Sequence, residues 1–135
     1  MLVNDVAGFH KFVELANDYV TKGQYEEALK TLEDLVERGC EEGYIYLAIG
    51  EICKSCHDRY DPERAKMNFF KAIALGKSSD DHQVVVAAKA GLAGIANLWN
   101  REWEAEFFLE EARRDFDRLI PEQQWDELRA RIDYN

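Results

Sequence analysis

"GQYEEALKTLEDLVERG", residues 23–39, is repeated with variation along the chain. "RYDPERAKMNFFKAIALG" follows at 59–76, and "NREWEAEFFLEEARRDF" at 100–116. Aligned on Ala28, Ala65 and Ala105, the segments bring Leu32, Phe69 and Leu109 into one column and Leu35, Ala72 and Ala112 into another. The alanines stand 37 and 40 residues apart. Self-similarity at such a period is the mark of stacked helical units. The i, i+4, i+7 spacing puts each set on one helical face, with the alanine where two helices must approach closely.

Each segment is preceded by a second apolar-periodic stretch. "FHKFVELANDYV" carries Phe12, Leu15, Ala16 and Tyr19 in phase, and "GYIYLAIGEIC" carries Tyr46, Ile49, Gly50 and Cys53. "VVVAAKAGLAGIANLW" leads into the third. Each unit therefore reads as a helical hairpin. Gly23 separates the first two helices, and Gly39 and Gly76 stand where second helices should stop, since glycine takes left-handed φ at no steric cost. Asp61-Pro62 reads as an N-cap and first helical residue, and Ser79, Asp80 and Asp81 offer another start. "PEQQWDELRARI" reads as a closing helix from Pro121, with Trp125, Leu128 and Ile132 on one face. The expected architecture is a single all-α domain over 1–135. It has units at about 5–39, 42–76 and 80–119 and a capping helix at about 121–133.

The bulk numbers fit a folded domain of modest size. Of 135 residues, 47% are hydrophobic, enough for a core. Only two prolines, Pro62 and Pro121, interrupt the chain, which favours long helices. The formal charge of −10 repels a phosphate backbone and an anionic membrane surface, so nucleic-acid and membrane binding are disfavoured. It would speed the encounter with a basic partner. No apolar run reaches the roughly 20 residues of a membrane helix. "MLVNDVAGFHKF" does not read as a signal peptide, so a cytoplasmic location and free thiols are expected.

"CKSCH", residues 53–57, has the C-x-x-C-H spacing of covalent haem attachment. Cys53 falls in phase with Tyr46, Ile49 and Gly50, which reads as a core position, because a thiol packs as a small hydrophobe. Haem also needs an axial ligand and an apolar pocket, and nothing places Met67, His10 or His82 there. Zinc would need Cys53, Cys56 and His57 to be joined by Cys40 or His82, yet adjacent Cys56 and His57 point about 100° apart on a helix. The expectation is no cofactor and no metal. "LGKSSD", residues 75–80, lacks the first glycine of a phosphate loop and follows a helix, not a strand. No nucleophile elbow, zincin motif or dinucleotide fingerprint occurs, so no enzyme is expected. "GLAGIANLW", residues 91–99, makes one helix thin at about 1 kcal/mol per glycine. Close helix packing, or a groove floor for a peptide, would offset that. Trp99 and Trp103 are expected in the core, and would suit hot-spot positions of a binding face if exposed.

Phe12, Leu15, Ala16, Tyr19, Gly23, Tyr25, Ala28 and Leu32 resemble the signature of the tetratricopeptide repeat, about 34 residues long. "LAIGEIC…YDPERAKMNFFKAIALG" is more similar to the longer, related Sel-one-like repeat, with Cys53 where that family usually has Tyr and Arg64 where it has Lys. The third unit keeps Ala105, Leu109 and Ala112 but lacks the closing glycine. The resemblance spans roughly 9–116 and implies a right-handed α-solenoid of three antiparallel hairpins whose first helices line a concave groove. The groove-facing positions it implies on the first such helix are His10, Val13, Asn17 and Val20. On the second they are Tyr44, Leu47, Glu51 and Lys54, and on the third Ala87, Ala90, Gly94 and Asn97. Only Asn17 fits the clamp with which some tetratricopeptide domains grip a chaperone's acidic tail. Val13, Ala48, Ala87 and Gly91 stand where the other clamp residues would be.

The function this points to is a non-catalytic scaffold or adaptor that binds a polypeptide segment in that groove. An alternative is a small acidic chaperone or immunity-type antagonist of one basic or secreted protein. A more remote one is a metal or haem protein using Cys53, Cys56 and His57. Self-association would also close an apolar groove.

Overall fold

The structure, a computed structural model, describes residues 6–55 and 61–133, with side chains described from residue 14 onward except Glu127. It is all-α. The helices are α1 (Val6–Thr21), α2 (Tyr25–Glu37), α3 (Gly43–Ser55), α4 (Pro62–Ser78), α5 (His82–Leu98), α6 (Glu102–Asp117) and α7 (Asp126–Asp133). A 3-10 turn at Pro121–Gln123 precedes the last, and no strand occurs among the described residues. α1 lies on α2, α3 on α4 and α5 on α6. α2 also meets α3, α4 meets α5, α3 meets α5, and α7 rests on α5 and α6.

One turn geometry recurs four times. After α1 the left-handed residue is Gly23 (φ 75°), and after α2 it is Gly39 (φ 88°). After α4 it is Asp80, and after α5 Asn100, both at φ 57°. In each case the next N–H reaches back five residues: Gln24 to the Tyr19 carbonyl, Cys40 to Leu35, Asp81 to Gly76 and Arg101 to Ala96, at 2.8–3.1 Å. These bonds satisfy carbonyls that a helix end leaves open. Asp and Asn replace glycine twice because they tolerate this conformation best among residues with a Cβ. Asp61 and Asp81 then cap the following helices, accepting from Arg64 N–H and Val84 N–H.

The repeat columns are core. Ala28, Ala65, Ala105, Leu32, Phe69, Leu35, Ala72 and Ala112 are all buried, and Leu109 is half-buried. Phe69 sits at the centre. A Cβ on Gly50 would lie 2.8 Å from its ring, and one on Gly91 would lie 2.5 Å from it. The ring is therefore gripped between the backbones of α3 and α5. This is the close packing that offsets the glycine in the thin helix. In α5 every residue from Val84 to Ala96 is buried, as expected of a helix covered all round.

Several expectations need correction. Gly76 lies inside α4, which runs on to Ser78. A Cβ there would meet Val85 at 2.9 Å and the Asp81 carbonyl at 3.1 Å, so close approach explains the glycine. Trp103 is 74% exposed, because it lies two residues, about 200°, from Ala105 around α6. Leu15 is 41% exposed while its neighbour Ala16 is buried, since α1 packs mainly on α2. The last helix starts at Asp126, not Pro121. Gln124 is drawn back instead to donate to the carbonyls of Phe116 and Leu119, at 3.2 and 3.0 Å. Trp125 stays outside the helix and exposed, its indole N–H bonded to the Glu122 carbonyl.

Candidate functional site

A groove of about 430 Å³ opens between α1, α2 and α3. α1 contributes Ala16, Asn17 and Val20, and α2 contributes Tyr25 and Leu32. α3 lays its face from Tyr44 through Leu47, Ala48 and Glu51 to Ser55 along the length. These side chains converge because i, i+3, i+4 and i+7 positions share a face. The wall is mostly apolar, with polar atoms at Asn17, Tyr44, Ser55 and Glu51. Burial, then the nearby charge of Glu42, pushes the Tyr44 phenol pKa up, so it is a neutral hydrogen-bonding group.

Arg131 closes one end. It comes from α7, pairs with Glu51 of α3 and lines the groove beside it. Leu128 and Ile132 of the same helix are buried in a second core cluster with Ala87, Ala90, Phe116 and Leu119. Lys54 points into a neighbouring notch with Glu51, Ala90 and Arg131. Burial lowers its pKa, the attraction of Glu51 opposes that, and Arg131 adds to the lowering.

Of the residues expected to face a partner, the groove thus brings together Asn17, Val20, Tyr44, Leu47 and Glu51. Lys54 lies next to it. Ala87 and Ala90 are covered by α7 and Gly94 is buried, while Asn97 is exposed at the end of α5. The side chains of His10 and Val13 lie outside the described residues. Tyr25 and Arg131 were not among the expected positions. Tyr25 was visible only as a repeat-signature residue. Arg131 had no local signal, because its partner Glu51 is 80 residues away.

Cys53 is 1% exposed within the core cluster that contains Ile49 and Phe69. Cys56 and His57 lie outside the described residues. Among the described residues no three of His, Cys, Asp and Glu come together as a metal site, and no helix is long and apolar enough to cross a membrane. A separate exposed apolar strip runs over α4 and α6, with Met67, Phe70, Trp103 and Phe107. There Phe108 stacks edge-on against both Phe70 and Phe107, at 6.3 and 5.4 Å.

No protein-family model matches the chain, and no curated protein or solved structure matches it.

Proposed function

We propose that this protein is a non-catalytic scaffold of the tetratricopeptide/Sel-one-like type, a right-handed solenoid of three hairpins closed by α7, that holds a polypeptide segment in the groove of α1, α2 and α3. The observation that carries this reading is the groove itself: an open, apolar-walled channel with a few polar side chains along it and a charged pair at one end. Such a channel suits an extended or helical segment that buries apolar side chains and meets polar groups at the rim. The ion pair between Arg64 of α4 and Glu33 of α2 supports stacking of successive second helices.

Native mass spectrometry of the protein purified from its own source tests this. The expected result is the 15.7 kDa chain with one co-purified polypeptide, released when Tyr44→Ala and Asn17→Ala are introduced together. A chain that carries instead a haem or zinc mass, lost on replacing Cys53 and Cys56, would transfer the function to the CKSCH stretch. The net charge of −10 favours the second reading, a dedicated chaperone or antagonist of a basic protein. That reading predicts an association rate that falls steeply with salt.

A further inference from the structure

A second cavity, of about 570 Å³, lies between the last turn of α4, the N-terminal half of α5 and the C-terminal half of α6. In a chain of net charge −10 it is lined by basic groups: Lys77, His82, Lys89, Arg114 and Arg118. Its two acidic residues are both engaged by Lys89, which is 8% exposed. The ammonium lies 2.6 Å from Asp115 and 3.0 Å from Glu111. Lys77, Arg114 and Arg118 form no ion pair among the described residues. The helix dipole accounts for Lys77 and Arg114, each in the last turn of its helix. It also favours Arg118, the C-cap residue of α6, but it does not account for the three cations meeting around one cavity.

We propose that this cavity binds a small organic polyanion carrying phosphate groups. Two guanidinium groups suit phosphate, which they can grip through paired N–H donors. Lys77 adds a point charge. Lys89 pairs with both carboxylates of the lining, Asp115 and Glu111. Val85 and Leu119 give the cavity an apolar wall for the organic part, and its volume falls in the range of about 300–1,000 Å³ that holds small ligands. The site is independent of the groove, which shares none of these residues.

Titration calorimetry on the full chain tests it, with inorganic pyrophosphate as probe and citrate as the carboxylate comparison. The expected result is one pyrophosphate per chain, bound at least tenfold more tightly than citrate, with affinity falling at least tenfold in both Arg114→Gln and Arg118→Gln. Arg101→Gln, the same charge change outside the cavity, should leave affinity within twofold. Unchanged melting temperatures in the variants show that the fold survives. No saturable heat, equal binding of citrate, or an equal loss in Arg101→Gln would overturn the proposal.

Discussion

Phe69 and the two glycines beside it show how single positions decide packing. Replacing a helical glycine by alanine should gain about 1 kcal/mol from propensity. At Gly91 the new Cβ would sit 2.5 Å from a fully buried ring that cannot swing aside. Overpacking of that kind costs about 1–3 kcal/mol and outweighs the gain. Gly91→Ala should therefore lower the urea midpoint, and Phe69→Leu should make the same change less costly in a double-mutant cycle. A stabilised Gly91→Ala would disprove the grip on Phe69. Gly39 is the opposite case. Nothing lies within 4 Å of its Cβ direction, so only its φ of 88° matters. Gly39→Ala should cost about 1–2 kcal/mol for backbone conformation alone, measured the same way. Gly39 was readable from the sequence because it combines a glycine with the end of an apolar period. Asp80 and Asn100, which make the same turn, carry no such signal. Gly76 misled because a glycine held by close packing looks in sequence like one held by φ.

Among the helices, α5 and α7 carry the least legible features. The repeat columns placed Ala28, Leu32, Ala65, Phe69 and Ala105 in the core correctly, since periodicity reports one face directly. Periodicity could not report that α7 would cover Ala87 and Ala90, because that depends on an eight-residue helix folding back. Leu128 anchors it in the second core cluster. Leu128→Ala should cost about 2–5 kcal/mol in denaturant unfolding. Lys89 ties α5 to α6. Burial disfavours its ammonium, but hydrogen bonds to Asp115 and Glu111 outweigh that and raise its pKa above the ordinary 10.5. A raised lysine pKa stabilises fully below 10.5 and loses that effect as pH climbs through the folded value. Lys89→Met should thus cost about 1.5–3 kcal/mol at neutral pH. Lys54 has the opposite sign. Its pKa is lowered, so the unfolded chain holds the proton more tightly and stability rises with pH between the folded value and 10.5. Lys54→Met should remove that rise and stabilise the protein at neutral pH. Chemical unfolding of wild type and both variants across the alkaline range separates the two effects.

At the level of the whole molecule, two surfaces compete as binding faces. One is the groove of α1, α2 and α3. The other is the strip of Met67, Phe70, Trp103 and Phe107. Five of the positions that the resemblance implies, Asn17, Val20, Tyr44, Leu47 and Glu51, line the groove. The sequence could not show the Arg131 end, which joins segments far apart, and it hid the aromatic strip by assigning Trp103 to the core. The measurement that separates the surfaces is a chemical-shift map. The isotope-labelled full chain would be titrated with a peptide selected on it from a random displayed library. Binding in the groove predicts perturbations centred on Asn17, Val20, Tyr44, Leu47 and Glu51, and binding weakened at least tenfold by Tyr44→Ala but not by Trp103→Ser. Perturbations centred on Met67, Phe70, Trp103 and Phe107, with binding lost in Trp103→Ser, would contradict it.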